Sequence, residues 1–175
     1  MHPLHSFRYC PVCGSEHFVE NNFKSKKCER CGFVYYFNSS AATAIFITNR
    51  VGELLVVRRA NEPAKGTFDL PGGFVDMYET AEEAIIREVE EETGLRISTS
   101  EYLFSLPNIY RYSGFDVHTI DLFYRYSVDS FSGVQAGDDA ESLFILEKSQ
   151  IQPEAFGLNS IRQAVKIWLP NTSSY

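Results

Sequence analysis

Two sets of residues in this 175-residue chain have the types and the spacing to do chemistry. The first is acidic: Glu79, Glu82, Glu83, Glu88, Glu90, Glu91 and Glu92 crowd one stretch whose only base is Arg87, in a chain of net charge −7. Such a cluster repels a polyanion, which weighs against extended nucleic-acid binding, and attracts a divalent cation. Thr80 to Thr93 contains no helix breaker and runs into Gly94, so the stretch predicts a helix with a glycine stop. On a wheel Glu92 falls about 40° and Glu91 about 60° from Glu88, with Ala81 and Ala84 on the same side. Ile85, Ile86 and Val89 form the core-facing stripe, and Glu83 and Glu90 face water. Like charges three and four residues apart repel by a few tenths of a kcal/mol per pair, so the trio does nothing for the helix. It suits Mg²⁺ or Mn²⁺, which seek several carboxylate oxygens. A solvated acidic face is the plain alternative.

The second set is Cys10, Cys13, Cys28 and Cys31, two CxxC pairs each followed by a glycine, Gly14 and Gly32. Glycine permits the positive φ of a tight knuckle that turns backbone N–H groups toward sulfur. Four thiolates so arranged predict a structural Zn²⁺ site with no position left for water. Disulfides or redox motifs are the alternatives, but the first residues lack the apolar stretch of a signal peptide. No apolar run is long enough to cross a bilayer, so a soluble, cytoplasmic protein is expected. The cysteine segment is too short to bury a core of its own, and the metal would hold it together. Lys24, Lys26 and Lys27 make a modest basic patch, read as a solvated loop; His2, His5 and His17 are read as surface residues.

Other elements must position these groups. Hydrophobic residues at 44% and aromatics at 14% supply a packed core. Residues 1–38 are expected to form the zinc ribbon, closing with a strand at Phe33–Phe37, and Asn38 to Ser40 a hinge. Residues 39–175 then form one α+β domain. Ala44–Ile47 and Leu54–Val57 flank a polar turn and predict a hairpin. Residues 60–73 read as loop. Strands are predicted at Tyr102–Leu106, Thr119–Val128 and Ser142–Leu146, and a last helix at Ser160–Leu169, closed by Pro170.

Gly73, five residues, Glu79, seven residues, then Arg87-Glu88-Val89-Glu90-Glu91-Glu92-Thr93-Gly94-Leu95 matches every defined position of the Nudix box. The chain is therefore identified as resembling Nudix hydrolases, with Lys65-Gly66 and Leu70-Pro71-Gly72-Gly73 similar to the family's approach to the box. The resemblance implies an α/β/α sandwich with a mixed sheet between helices. It implies hydrolysis of a nucleoside diphosphate linked to another moiety, with Mg²⁺ or Mn²⁺ held by Glu88, Glu91, Glu92 and the Gly73 carbonyl. Arg87 would orient a box glutamate, and Glu79 would pair with it or support the helix start. Glu141, in Gly137-Asp-Asp-Ala-Glu141, is a candidate fourth acid and base. Many members dimerise, so a homodimer is compatible.

A four-cysteine ribbon before such a domain resembles the NADH pyrophosphatases, which carry a Ser-Gln-Pro-Trp-Pro-Phe-Pro array after the box. Ser105-Leu106-Pro107-Asn108-Ile109-Tyr110 keeps its Ser, a Pro and an aromatic only. With Tyr112 and Gly114-Phe115 following, the segment is more similar to ADP-ribose pyrophosphatases. Tyr110, Tyr112 and Phe115 are candidate base-stacking residues, and Arg58 and Arg59 candidate phosphate contacts. A ligand-sensing or nucleic-acid-binding protein that uses its ribbon is a second reading. An isopentenyl diphosphate isomerase is a third, but no Cys follows position 31.

Overall fold

The computed structural model describes residues 2–137 and 140–171, leaving out the side chains of residues 140, 141 and 171. The N-terminal cysteines lie on a three-stranded antiparallel sheet of β1 (Phe18–Asn22), β2 (Ser25–Cys28) and β3 (Val34–Tyr36). Cys10, Phe18 and Cys28 are its buried centre, with Phe7, Phe33 and Tyr35 packed around them.

The larger sheet contains β4 (Ser40–Thr48), β5 (Leu54–Arg59), β6 (Phe68–Asp69), β7 (Glu101–Tyr112), β8 (Phe115–Ser127) and β9 (Ala140–Leu146). Its order is β6-β5-β4-β8-β7, with β9 also paired to β5; β4 and β8 are parallel and the other pairs antiparallel. Helix α1 (Ala81–Thr93) covers one face and α2 (Asn159–Asn171) the other. Strand β4 shows why. Successive side chains of a strand point to opposite faces. Ile45 and Ile47 accordingly join Ile85 and Val89 of α1, while Ala44 and Phe46 join Ile161, Val165 and Trp168 of α2. The Trp168 ring stacks on Phe46 with centroids 4.7 Å apart. A strand buried on both faces reads as the continuous apolar run Ala44–Ile47. The expected α/β/α sandwich with a mixed sheet is present.

Several elements differ from their sequence prediction. The β4–β5 hairpin pairs only at its turn end, Ile47 with Leu55 and Thr48 with Leu54; beyond it β6 takes the place of β4 beside β5 and the chain from Pro71 to Val75 takes the place of β5 beside β4. Within the loop 60–73, Phe68–Asp69 forms the short β6, and Ser40, read as hinge, begins β4. Strands β7 and β8 extend toward each other and meet at Ser113-Gly114, both with positive φ (51° and 77°), as a two-residue hairpin turn of the inverted type requires. Helix α2 runs one residue past Pro170.

Helix α1 is bounded by its own chemistry. The Thr80 hydroxyl accepts from the Glu83 N–H at 3.2 Å, and the Glu83 carboxylate accepts from the Thr80 N–H at 2.8 Å. Glu83, read as a water-facing acid, closes this capping box, and such caps are worth about 0.5–2 kcal/mol. Gly94 ends the helix with φ 69°. The Gln135 and Gly137 N–H groups donate to the carbonyls of Thr93 and Glu92, each at 3.0 Å, tying the chain before β9 to the helix end.

Candidate active site

Ahead of α1 the chain is laid against β4. Backbone bonds join Ile45 N–H to Pro71 O, Thr43 N–H to Gly73 O and Val75 N–H to Ala41 O at 2.8–3.1 Å. A Cβ at Gly72 would fall 2.1 Å from the Thr43 carbonyl oxygen, so only glycine permits this approach. A cleft of about 650 Å³ opens there. It runs from Arg59 and Asp69 on β5 and β6, past Ala42 and Ala44, to Asp121 on β8 and Asn108 and Tyr110 on β7; the glycine pair, Glu88 and Glu92 line its edge.

The buried Glu92 accepts from the Gly72 N–H at 3.0 Å. The Glu88 carboxylate lies against Gly73, where an added Cβ would meet its Oε1 at 2.3 Å. One turn apart on the helix, these carboxylates flank a glycine pair whose missing side chains leave room, a donor set that suits a hard cation. The Gly73 carbonyl accepts from the Thr43 N–H at 2.8 Å and, at 3.4 Å, from the Thr43 hydroxyl. Glu91 departs from the expected trio: it is not among the cleft-lining residues, its side chain is 58% exposed, and it faces Arg87. The reason is electrostatic, because Arg87, one turn before Glu91 on the same helix, draws its carboxylate away from the cleft.

Arg87 donates through Nη1 to Glu88 (2.8 Å) and Glu91 (3.0 Å), through Nε and Nη2 to Glu79 (2.8 and 3.0 Å), and through Nη2 to the Phe74 carbonyl (3.2 Å). The bonds from Arg87, then the Asp76 N–H, hold Glu79 down at about 2. Glu79 in turn raises Arg87 above its ordinary value. The expected Arg87–Glu79 pairing is therefore present, and one guanidinium staples the loop from Phe74 to Glu79 against the box helix.

The remaining candidates divide. Arg59, Tyr110 and Tyr112 line the cleft. Arg59 donates to Asp69 at 2.5 Å and to the Tyr110 hydroxyl at 3.2 Å. Burial opposes the Arg59 charge, but Asp69 and then Tyr110 more than offset it. Burial pushes Asp69 up, against the pull of Arg59. Arg58 points elsewhere, its guanidinium over Phe144 (4.6 Å) and Phe68 (5.5 Å), because neighbours on a strand face opposite sides. Phe115 is likewise absent from the lining and stacks on Phe7 at 5.8 Å. The Glu141 side chain lies outside the described residues.

Sequence reasoning missed Asp69, Asn108, Thr119 and Asp121, all buried and all lining the cleft. Asp121 accepts from the Thr119 hydroxyl at 2.6 Å and from the Ser160 hydroxyl at 2.5 Å. The available signal was an acid in phase with core residue Phe123 on one strand.

The four cysteines are unbridged, with Sγ atoms all within 4.8 Å of one another. Cys10 to Cys31 spans 3.7 Å and Cys13 to Cys28 3.6 Å. A tetrahedron of sulfurs about 2.3 Å from a central ion has edges of roughly 3.8 Å, so the spacing suits a four-coordinate metal. Gly14 and Gly32 take the expected positive φ, 69° and 77°, and donate to the carbonyls of Cys10 and Cys28 at 2.9 Å. Cys28 is lowered to about 6 chiefly by the Cys31 N–H. Cys31 also accepts a backbone bond, from Phe33, yet burial and the adjoining sulfurs push it up to about 12.

Comparison with known proteins agrees with this geometry. The NUDIX domain model matches residues 38–164. An ADP-ribose pyrophosphatase of Methanocaldococcus jannaschii is 33% identical over 123 residues, 70% of each chain. An NAD-capped RNA hydrolase, NudC, of Chromobacterium violaceum is 35% identical over 102 residues, 58% of this chain, which spans only 38% of that relative's length. Among solved structures, a NUDIX hydrolase from Nitrosomonas europaea superposes with a TM-score of 0.73 at 18% identity, covering 94% of this chain and 92% of the other, a likeness of fold. No described helix is long and apolar enough to cross a membrane. With its box helix, mixed sheet and matched model, the chain belongs to the NUDIX family.

Proposed function

We propose that the protein hydrolyses the diphosphate of a nucleoside diphosphate joined to another moiety, with ADP-ribose as the first-choice substrate and Mg²⁺ or Mn²⁺ as cofactor. The observation that carries this is the placement of Glu88 and Glu92 against Gly73 and Gly72 at the edge of a nucleotide-sized cleft. A divalent ion held by Glu88, Glu92, the rim residue Glu91 and the Gly73 carbonyl would neutralise phosphate charge and acidify an attacking water. Arg87 aims Glu88 and Glu91 through its hydrogen bonds to both. Glu79, held at about 2, is too weak a base to take a proton near neutrality, so its role is to anchor Arg87. That leaves Glu88, Glu91, Glu92 or Glu141 to accept the proton. Arg59, Tyr110 and Tyr112 are the proposed substrate contacts; Arg58 and Phe115, turned away, are not.

Residues 1–38 are read as a ribbon built on structural Zn²⁺, and 39–175 as the hydrolase domain. Four thiols that serve a metal suit a reducing compartment, and the cytoplasm is the proposed location.

A second reading, an NADH or NAD-capped RNA pyrophosphatase, is favoured by the similarity to the bacterial relatives. A substrate panel with Mg²⁺ or Mn²⁺ separates the two. ADP-ribose should yield AMP and ribose 5-phosphate with kcat/KM at least about tenfold above NADH, a difference of roughly 1.4 kcal/mol in transition-state binding. The reverse order selects the second reading. Tight binding with no turnover of any substrate points to a ligand sensor instead and overturns the enzyme assignment.

A further inference from the structure

Strand β8 pairs with β4 only from Thr119 onward. The tip of the β7–β8 hairpin, Ile109 to His118, therefore projects past the sheet as two strands alone. An isolated pair of strands is marginal in water. Yet this tip carries Tyr110 and Tyr112, which line the cleft, and the Tyr110 hydroxyl meets Arg59. On the β7 strand of the tip Tyr110 meets Phe74 edgewise at 5.7 Å and its hydroxyl donates to the Glu62 carbonyl at 3.4 Å; the β8 strand packs on the cysteine segment. Phe115 stacks on Phe7 with centroids 5.8 Å and planes 15° apart, and it meets Phe37 edgewise at 6.3 Å. His118 meets Phe37 at 5.9 Å and 90°. Behind this contact Phe7 meets Tyr35 at 5.7 Å, its carbonyl accepts from Lys26 Nζ, and both rings pack on the core containing Cys10 and Cys28. Phe115 lies directly opposite Tyr112 in the hairpin register. Packed rings thus run from the cysteine core to Phe115, and backbone pairing carries the path on to Tyr112.

We propose that the cysteine segment is a positioning element for the cleft: Phe7 and Phe37 clamp Phe115 and so hold Tyr110 and Tyr112 where the substrate binds. The proposal rests on the reading of those two tyrosines as substrate contacts. A bound nucleotide would then meet a pre-ordered wall, and loosening the clamp would charge the ordering entropy to each binding event.

The test uses the full chain with its metal in place and the variants Phe115→Ala and Phe37→Ala. Each should raise KM for ADP-ribose about five- to tenfold, the scale set by losing an aromatic pair, with kcat within about twofold and zinc content unchanged. Phe37→Tyr should restore KM. In a Tyr112→Ala background, Phe115→Ala should add less than it does in the wild type, because one of the two residues it positions is gone. Amide exchange over 109–118 should speed by about tenfold in Phe37→Ala while α1 stays protected. Unchanged KM, a matching fall in kcat, or full additivity with Tyr112→Ala overturns the proposal. If the wild-type protein does not turn over ADP-ribose, the substrate reading fails by itself. Amide exchange still decides the clamp: unaltered protection at 109–118 overturns it.

Discussion

The cysteine cluster and the glutamate arc both gather metal-ligating side chains within about two turns of backbone, but they stand ready in different ways. The four sulfurs already sit at tetrahedral spacing. Among the described residues no comparable group of carboxylates is drawn so close: Glu92 bonds a backbone N–H, and Glu88 and Glu91 both turn to Arg87. The contrast follows from charge. A cysteine side chain packs like a small apolar group, so four of them tolerate contact before any ion arrives. Carboxylates near neutrality are anions, and the chain keeps its own cation among them. On the proposed reading, one site closes on an ion and keeps it, and the other admits an ion and releases it with product.

The sharpest way to break this contrast is to neutralise one acid. Glu92→Gln should cut kcat by at least about 10²–10³, the scale for removing a charged group that acts on the transition state. The amide oxygen can still accept the Gly72 N–H, so melting should shift by only a few degrees. A variant with normal kcat would mean that the arc holds no ion. The complementary change, Cys28→Ser, should take bound zinc from about one equivalent to none and unfold the N-terminal sheet, visible by elemental analysis and proteolysis before residue 40. The larger sheet should survive, and activity should fall far less than in Glu92→Gln. Equal losses in the two would erase the distinction between an ion that reacts and one that supports.

How far each region was legible differs for the same physical reasons. Both proposed metal sites are local in sequence: CxxC-Gly and the box spacing each specify a turn or a helix face, and the structure brings together the four cysteines, and Glu88 with Glu92, while Glu91 turns to Arg87. The Thr80–Thr93 boundaries were readable because a cap and an αL glycine are local signals. What was not readable is long-range. The Arg59–Asp69 pair depends on β5 meeting β6, and the burial of Asp121 depends on α2 delivering Ser160. Phe115 read as a base-stacking residue because a sequence gives no sign that Phe7, more than a hundred positions earlier, supplies its partner.

Arg87 is where the two kinds of site differ most directly, and Arg87→Met probes it. Glu79 is held below its ordinary 4.5 by Arg87, so the pair stabilises the fold fully above about pH 4.5 and loses that contribution as pH falls toward 2. The variant should be less stable at pH 7 but should lose less between pH 5 and pH 3 than the wild type does, read from urea midpoints. Its kcat should fall by about ten- to a hundredfold as Glu88 and Glu91 lose their guide. Parallel pH profiles for the two proteins would remove the ion pair from the account of acid stability.

The smallest effect concerns the exchangeable ion itself. If the glutamate arc binds Mg²⁺ or Mn²⁺ only in the folded state, then a concentration near ten times the dissociation constant should stabilise by roughly 1.4 kcal/mol. In a chain of this length that is about 3–6 °C in melting temperature. The shift should vanish in Glu92→Gln, and brief EDTA treatment should reverse it in the wild type, since an ion held by an open arc dissociates easily. The same treatment should leave the zinc content of the cysteine site intact, because four thiolates surround that ion with no open position for a competing ligand. An EDTA pulse that removed both ions at the same rate would show that closure of the coordination shell does not separate the two sites, and the contrast drawn from their geometry would fail.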